Sequence, residues 1–231
     1  MGTFGGAQPI VTDGLVFAVD AANYQSYPGS GTTWSDMAGN NNGTLTYGPT
    51  FDSGNGGSIV FDGSDDYVDA NFNTSGVNQM TLDVWVYLDD DPSDGTVIGK
   101  WIAQGTRSFL IWWDIGVTPN FRFITQNTSF QNTITSESDS NANNNAWNHV
   151  VATFDSNSGI KLYVNNDLKE TVNHASTPFV MTSTTNFGIG DDTSGSRYLK
   201  GKISQAKIYN RVLTSDEITQ NYNALKSRFG L

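Results

Sequence analysis

The sequence predicts an all-β fold: a two-sheet antiparallel β-sandwich with one short α-helix at the C-terminal end. Short apolar or alternating runs recur along the whole 231-residue chain. Between them lie segments rich in Gly, Asn, Asp, Ser and Thr, which are typical of the turns of antiparallel sheets. We find no internal repeat and no change of composition that would mark a linker. We therefore expect an N-terminal arm (1–13) and one domain (14–231) that includes a helix over 215–229.

The first strand is predicted in "GLVFAVD" (14–20), where side chains alternate between two faces. The segment 28–51 is dense in turn-forming residues, and we interpret it as a long loop anchored by the indole of Trp34. In "SIVFDGSDDYVDA" (58–70), two extended pieces flank a turn at 62–65, where a glycine supplies a positive φ. The aspartates of this stretch are typical of turn residues, whose side chains accept hydrogen bonds from backbone amides. The alternative is that they form a metal-binding loop.

The clearest strand is "MTLDVWVYL" (80–88). Its even-numbered residues are apolar, and Thr81, Asp83, Trp85 and Tyr87 form the other face, so we expect both faces to be covered at least in part. Further strands are predicted at 96–102, 107–115, 120–126, 148–155, 160–166, 186–192 and 201–210.

The one helical pattern follows these strands. Thr214 and Glu217 have the spacing of a capping box, and Leu213 can pack against Ile218 as a hydrophobic staple. Apolar residues then recur along one helical face at Ile218, Tyr222, Leu225 and Phe229. We expect this helix to dock on the sandwich.

Composition excludes several classes of function. The chain has 23 acidic and 12 basic residues, a net charge of −11, and no cluster of Lys and Arg, which excludes nucleic acid and anionic membranes as partners. It has no cysteine, which removes disulfides and thiolate zinc sites. The N-terminal residues lack a basic region followed by an apolar one, so we expect no secretory signal in the given chain.

Three sequence motifs together resemble one family. They are "FDGSDDYV" followed by "MTLDVWVYL", then "WNHVVATFD" running into "GIKLYVNNDL", and finally "GIG" followed by "LKGKISQAKIYNRVLTSDEI". This pattern resembles the laminin-G-like, or concanavalin A-like, jelly-roll family, which includes pentraxins and many carbohydrate-binding modules. The resemblance spans about 14–225. It implies two curved sheets that take ligands on the concave face or the rim loops. The opening residues 9–34 also resemble single-domain jelly-roll proteins of tailed bacteriophages.

The superfamily includes retaining glucanases, so an enzyme has to be considered. Their motif places two glutamates and an aspartate at alternate positions of one strand, and the nearest match is "ESDSN". Glu137 and Asp139 fit, but Asn141 replaces the second glutamate. Retaining hydrolysis needs two carboxyl groups, so we expect no catalytic residues.

The resemblance to pentraxin-like relatives implies a calcium site in the loop "GIGDDTSGSRYLKG". There Asp191 and Asp192 match acidic ligands, and Gln104 approximates an amide from a facing loop. Arg197 argues against a metal at this loop, because a cation repels one, and a solvated turn is the alternative. Calcium is thus the one cofactor that the sequence leaves to be tested.

Sugar binding requires aromatic faces and planar polar groups. Trp112 and Trp113 are adjacent in a strand, so their side chains point to opposite faces, and one of them is a candidate to face the ligand. The alternative is that both are buried. Arg197 and Tyr198 complete the predicted ligand-binding set.

We therefore predict a non-catalytic attachment or display domain that binds a cell-surface or extracellular glycan. The resemblance to phage proteins predicts that it is associated with a virion, or extracellular after lysis, and contacts other virion structural proteins; it also leaves a homo-oligomer open. The main alternative is a capsid or tail decoration protein that acts through protein contacts alone. A third is a fragment of a larger secreted protein.

Overall fold

The computed structural model describes residues 8–89, 94–101, 107–116, 119–126, 134–137 (backbone), 144–173, 181, 186–191 and 196–231. Within these residues it confirms the predicted all-β fold, with one short C-terminal helix. The strands are β1 Leu15–Asp20, β2 Thr33–Trp34, β3 Gly43–Thr46, β4 Thr50–Asp52, β5 Ser58–Asp62, β6 Tyr67–Ala70, β7 Gln79–Leu88, β8 Gly95–Lys100, β9 Phe109–Asp114, β10 Asn120–Thr125, β11 Ile134–Glu137, β12 Ala146–Asp155, β13 Gly159–Val164, β14 Asp167–Val172, β15 Phe187–Ile189 and β16 Lys200–Tyr209. The helix α1 is Ser215–Leu225, and a 3-10 turn, Lys226–Phe229, continues it.

The strands form two antiparallel sheets. The first sheet has the order β14-β13-β12-β7-β16-β5-β4, and β1 also pairs with β16. The second sheet has the order β11-β10-β9-β8-β15-β6-β3-β2. Half of the strand pairs join strands that are consecutive in the chain and half join strands that are distant in sequence, so the fold also depends on long-range pairing.

The core lies between the two sheets. The apolar face of β7 contributes Leu82, Val84 and Val86, which are fully buried, and the second sheet contributes Phe109 and Ile111. The alternation in the sequence therefore predicts correctly which face of β7 points inward. Burial of these side chains supplies the main favourable term in folding.

The segment 28–51 differs from the predicted long loop, because it contains the short strands β2, β3 and β4. Trp34 is fully buried, as expected. The strands escape detection because they are two to four residues long and rich in Gly and Thr. β2 pairs with β3, β4 pairs with the next strand β5, and β3 is held by β6, which is more distant in sequence.

The two extended pieces of 58–70 belong to different sheets. β5 pairs with β16 in the first sheet, and β6 pairs with β15 and β3 in the second. The turn between them thus carries the chain from one sheet to the other. Gly63 in this turn has φ +81°, and a Cβ there would lie 2.9 Å from the Cβ of Lys200.

Helix α1 begins with the predicted capping box, in which Thr214 and Glu217 exchange hydrogen bonds between side chain and backbone. Glu217 also forms a two-pronged ion pair with Arg211, at 2.6 and 2.8 Å. Leu213 and Ile218 are buried in one cluster, as the staple predicts.

The helix covers the outer face of the first sheet. The Phe229 ring stacks on Trp85 at 4.2 Å between centroids, and Trp147 lies 4.6 Å from Phe229. Trp85 and Trp147 are 0 % and 7 % exposed. The polar-looking face of β7 is therefore an interface inside the domain.

A buried polar cluster lies at the same interface. One carboxylate oxygen of Asp83, Oδ1, lies 3.1 Å from both His149 Nε2 and Lys207 Nζ. The other, Oδ2, accepts a hydrogen bond from Asn221 of the helix at 2.8 Å. Because all four residues are buried, this cluster fixes the helix to the sheet and presents no surface to a ligand. His149 is thus a structural imidazole, as its position in a strand predicts.

Candidate functional site

The structure separates the two adjacent tryptophans of β9 as the strand alternation predicts. Trp113 points into the core, where it is 1 % exposed and packs edge-on against Phe121 at 5.1 Å. This corrects the prediction that Trp113 is a ligand-facing residue, because the space between the sheets encloses it. Trp112 points to the outer face of the second sheet and is half-buried.

Trp112 packs beside a small apolar cluster on that outer face, formed by Trp101, Leu110 and Ile124. The guanidinium carbon of Arg122 lies 5.8 Å from the centroid of the Trp112 ring. Arg122 is itself bound to Asp114, with 2.8 Å between nitrogen and oxygen. Much of the surface of the Trp112 ring is thus covered by other side chains of the same protein.

A second group of aromatic side chains lies on the same face, near the other end of the sheet. In β6, Val68 and Ala70 point into the core, so Tyr67 and Asp69 point outward. Tyr67 pairs across the sheet with Thr46. The ring of Tyr47, the next residue, lies 5.9 Å from the Tyr67 ring.

Tyr47 has an unusual backbone and an unusual exposure. Its φ is +67°, and its side chain is 71 % exposed. A bulky residue with positive φ is rare and costs conformational energy. The chain therefore keeps a large aromatic ring in solvent at a position where glycine would be favoured by the backbone.

Tyr198 and Asp191 lie close to these tyrosines. The pKa of Tyr198 is raised, first by burial and then by the negative charges of Asp191 and Asp65. The pKa of Tyr67 is raised by burial and also by Asp69 and Asp191. Such electrostatic effects require short distances, so three tyrosines and three aspartates form one region. We call this region the tyrosine surface; it consists of Tyr47, Tyr67, Tyr198, Asp65, Asp69 and Asp191.

A glycine sets the position of Asp191. Gly190 has φ +83°, and a Cβ at this residue would lie 2.6 Å from two carbons of the Phe61 ring. The chain can turn tightly over Phe61 only because residue 190 has no side chain. The turn leaves Asp191 just 2 % exposed.

The acidic turn that opens β6 borders the tyrosine surface. Asp62, Asp65 and Asp66 offer carboxylate oxygens that lie within 4.8 Å of one another. The Asp66 carboxylate accepts the amide of Asp62 at 3.1 Å, and Asp62 accepts the amide of Ser64 at 2.8 Å. The pKa of Asp66 is raised, mainly by burial and additionally by its two acidic neighbours. Clustered carboxylates are the donors that calcium prefers, so this turn fits a cation by donor type, although two of its carboxylates also stabilise the turn.

The predicted calcium set is only partly described. Asp191 lies at the tyrosine surface, whereas Asp192 and Gln104 lie outside the described residues. Arg197 is half-buried, and its carbonyl accepts the amide of Thr96 at 2.9 Å, which fixes the segment before β16 against β8. Of the glucanase-like residues, Asp139 and Asn141 also lie outside the described part of the chain.

The model of one protein family matches residues 62–219, well over half of the chain. This family is the laminin-G type of the concanavalin A-like lectin/glucanases superfamily. The chain belongs to this superfamily. A comparison with curated proteins gives no match.

Several solved structures have an architecture similar to that of this chain. The receptor-binding domain of botulinum neurotoxin C/D mosaic serotype aligns with a TM-score of 0.72 and 17 % identity over 92 % of this chain and 51 % of that one. The ligand-binding domain of serotype D, in complex with N-acetylneuraminic acid, aligns with a TM-score of 0.72 and 16 % identity over 92 % of this chain and 51 % of that one. The chain thus spans about half the length of these toxin domains.

A third similar structure has nearly the same length as this chain. Domain 4 of an extracellular GH43 arabinanase from Geobacillus stearothermophilus, in complex with arabinotriose, aligns with a TM-score of 0.67 and 18 % identity. The alignment covers 90 % of this chain and 98 % of that domain. At identities of 16–18 %, these TM-scores show a shared fold alone. The three structures are a receptor-binding domain, a ligand-binding domain with a bound sugar, and a domain of an enzyme with a bound oligosaccharide.

The sequence predicts Tyr198 as a ligand-binding residue and Asp191 as a metal ligand, but it does not single out Tyr47, Tyr67 and Asp69, which the structure places beside them. The alternation in "YVDA" (67–70) was a usable signal, because it puts Tyr67 and Asp69 on the face opposite two small apolar residues. No local signal marks Tyr47, because its position depends on the pairing of β3 with β6.

A cavity of about 310 Å³ lies on the other sheet, where Thr153, Lys161, Thr171, Asn173 and Val212 contribute to its walls. None of the described residues that line it is aromatic, so these residues offer no flat apolar face on which a sugar could stack. None of the helices that the structure describes is long and apolar enough to cross a membrane.

Proposed function

We propose that this protein is a non-catalytic carbohydrate-binding domain and that the tyrosine surface is its binding site. The observation that carries the proposal is the geometry of Tyr47, a 71 % exposed ring held beside Tyr67 by a left-handed backbone. Strain of this kind persists where the surrounding structure maintains it and is concentrated at functional sites. An exposed aromatic face is what a sugar ring requires for stacking.

The polar groups around the rings support the same function. Asp65, Asp69 and Asp191 surround Tyr67 and Tyr198 closely enough to change the pKa of each phenol. Carboxylates accept hydrogen bonds from hydroxyl groups, and sugars present many hydroxyls. The similarity to solved domains in complex with N-acetylneuraminic acid and arabinotriose also supports carbohydrate binding.

The geometry of the carboxylates favours binding over hydrolysis. A glycosidase places two carboxyl groups on either side of the bond to be cleaved. Asp62, Asp65 and Asp66 are close together, but all three come from a single turn. These three carboxylates therefore approach a ligand from the same side. Incubation of the protein with any oligosaccharide that it binds should release no reducing ends.

The test is a glycan array, followed by titration calorimetry with the best ligand. Tyr47→Ala should lower the affinity at least about tenfold, since aromatic contacts concentrate binding energy. The matched control is Tyr24→Ala, which removes an equally exposed tyrosine (78 %) from the loop after β1. Equal losses in both variants, or no glycan binding by the unmodified protein, would reject the proposal.

For the biological role, we propose attachment or display on a virion, on the basis of the resemblance of residues 9–34 to phage jelly-roll proteins. The competing role is capsid or tail decoration through protein contacts without sugar binding. Adsorption of particles that carry the Tyr47→Ala variant separates the two roles. Attachment requires the tyrosine surface, whereas decoration leaves adsorption unchanged.

We further propose calcium as a ligand of the region formed by Asp191 and the acidic turn. The donor set of Asp62, Asp65 and Asp66 supports this, because three carboxylates within 4.8 Å repel one another until a cation lies between them.

A further inference from the structure

The cavity on the first sheet lies on its outer face. Ala152 of β12 and Leu162 of β13 point into the core, so Thr153 and Lys161 point outward. These two residues lie opposite each other in the strand register, and Lys161 also lies opposite Thr171 of β14. The three side chains therefore form one row across three strands, and all three line the cavity. Its volume of about 310 Å³ is at the lower end of the range for small-molecule sites, about 300–1,000 Å³.

The hydroxyl group of Thr153 lacks a partner inside the protein. Thr153 is 3 % exposed, and its hydroxyl forms no hydrogen bond within the described residues. Its cross-strand neighbour Thr81 shows the usual arrangement, because Thr81 Oγ1 donates to the carbonyl of Arg211 at 2.8 Å and accepts the amide of Leu213 at 3.0 Å. A buried polar group without a partner costs free energy. Because Thr153 lines the cavity, a bound molecule can satisfy its hydroxyl.

The same cavity holds a lysine that is not used in an ion pair. Within the described part of the chain, Lys161 forms no ion pair, whereas Lys202 is bound to Asp52 at 2.6 Å. Arg211, which precedes the lining residue Val212, is bound to Glu217 at 2.6 Å. The ammonium group of Lys161 is therefore available to a ligand.

One of the described residues that line the cavity is acidic, but the protein itself uses most of its acceptor positions. Asp155 Oδ1 accepts the amides of Asn157 and Ser158, at 2.7 and 3.1 Å, and Oδ2 accepts Nε2 of Gln79 at 2.8 Å. A carboxylate has about four acceptor positions, so these three hydrogen bonds leave little capacity. The ammonium group of Lys161 and the two threonine hydroxyls are donors. A ligand with negatively charged acceptor atoms fits them.

We propose that this cavity is a second binding site, which takes an oxyanion: a carboxylate, sulfate or phosphate group carried by a small ligand. Lys161 supplies the charge and Thr153 a hydrogen bond from the buried side, and Thr171 and Asn173 add donors at the edge. Hydrogen bonds in which one partner is ionised are about twice as strong as neutral ones. The inference goes beyond the proposed glycan binding, because the cavity lies on the other sheet and shares no residue with the tyrosine surface.

The experiment is calorimetric titration with glucuronate, glucose 6-phosphate and inorganic sulfate, each compared with neutral glucose. A chelator is present, and the ionic strength is about 0.15 M, where the net charge of the protein is screened beyond about 8 Å. We expect at least about tenfold tighter binding of the two acidic sugars than of glucose. Binding of sulfate as well would identify the oxyanion itself as the ligand, and binding of the acidic sugars without sulfate would show that the sugar ring contributes. Tyr47→Ala should bind the acidic ligands as the unmodified protein does.

Two variants test the assignment to these residues. Lys161→Gln should lower the affinity for the acidic sugars at least about tenfold. Thr153→Val keeps the shape of the side chain and removes the hydroxyl, so it should lower the affinity severalfold. Urea denaturation should show that Thr153→Val is as stable as the unmodified protein or more stable, because the hydroxyl has no partner in the folded state.

Each variant has a matched control. Lys226→Gln removes a lysine that lies over the ring of Tyr222. Thr125→Val removes another buried hydroxyl without a partner, in the second sheet. Both should bind the acidic sugars normally. Equal affinity for glucose and glucuronate, no saturable binding of any acidic ligand, or unchanged affinity in Lys161→Gln overturns the inference. None of these results affects the proposed glycan binding, which depends on other residues.

Discussion

The ring of Tyr47 lies 5.9 Å from the ring of Tyr67, and Tyr47 reaches this position with a backbone φ of +67°. A left-handed conformation costs a non-glycine residue of order 1–3 kcal/mol. The contact with Tyr67 is tilted and largely exposed, so it recovers only part of this cost. The stability of the fold therefore gives no reason for a tyrosine at residue 47, whereas the proposed ligand binding does.

This relationship predicts opposite effects of one substitution on stability and on binding. Tyr47→Gly relieves the strain but increases the freedom of the unfolded chain. We expect the free energy of unfolding to stay the same or to rise by up to about 1 kcal/mol, while glycan affinity falls. Urea denaturation and calorimetric titration measure the two quantities. A loss of stability above about 2 kcal/mol would make Tyr47 a structural residue.

A second prediction concerns Trp147, which the sequence places at the entry of a buried strand and the structure shows to be 7 % exposed. Its ring contacts Phe229 and Tyr87, and its Nε1 donates to Asn55 at 3.2 Å. Trp147→Ala should lower the free energy of unfolding by about 3–5 kcal/mol, as for other large buried side chains.

Trp112→Ala provides the comparison for this second prediction, because Trp112 is half-buried on the outer face of the second sheet. Trp112→Ala should lower the free energy of unfolding clearly less than Trp147→Ala does in the same denaturation experiment. Equal losses of unfolding free energy in the two variants would mean that the outer-face cluster around Trp101 is as important for stability as the helix interface.

The elements that the sequence predicts well are those with local signals. The alternation of β7 and the capping box of Thr214 and Glu217 each lie within a few residues, and the structure confirms both. β2, β3 and β4 carry no such signal, since they are strands only through the pairs β2–β3, β3–β6 and β4–β5.

The candidate site could be predicted only in part for the same reason. Alternation shows that Trp112 and Trp113 point to opposite faces, but not which face is inside. That is decided by the pairing of β9 with β8 and β10. A family resemblance brings Asp191 into the predicted set, whereas Tyr47 needs the β3–β6 register and a backbone angle that its neighbours impose.

A third prediction concerns acid stability. Burial acts to raise the pKa of Asp83, but the charges of Lys207 and His149 and the hydrogen bonds from His149 and Asn221 outweigh it and hold the pKa well below its usual range. A carboxyl group with a depressed pKa stabilises the fold above its unfolded value of about 3.9, and this stability is lost as the pH falls below that value. Arg211 lowers the pKa of Glu217 to about 2, so the stability that Glu217 contributes is also lost as the pH falls.

We therefore expect the helix to undock below about pH 4, seen as a change in fluorescence of Trp85 and Trp147. Asp83→Asn should be less stable at neutral pH by about 3–5 kcal/mol, because it leaves Lys207 buried without its partner. Its stability should also depend less on pH in the acid range. The control Asp167→Asn should behave like the unmodified protein. A variant with unchanged neutral stability and the same acid profile would show that Asp83 does not hold the helix.

The last prediction is that calcium raises the melting temperature through the region that links Asp191 to the acidic turn. The raised pKa of Asp66 means that its ionised form is disfavoured in the folded protein. A carboxyl group of this kind stabilises the fold when protonated, and the benefit is lost as the pH rises through its folded pKa.

At neutral pH the ionised Asp66 is therefore disfavoured, first by its burial and then by repulsion from Asp62 and Asp65, and a cation bound at the turn would relieve that repulsion. A ligand that binds only the folded state raises its stability by mass action. Asp66→Asn should by itself raise or preserve the melting temperature without calcium, because it removes one of three crowded charges.

Two further variants locate the ion. If Asp191 and Asp192 bind it, the rise should vanish when both are replaced by Asn, because neutral amides cannot offset the dehydration of a divalent ion. If the rise persists in that variant but is lost when Asp62, Asp65 and Asp66 are replaced by Asn, the acidic turn is the site. No rise in the unmodified protein would reject calcium binding, and the three aspartates would then serve the turn between β5 and β6, through the hydrogen bonds that two of them accept from its amides.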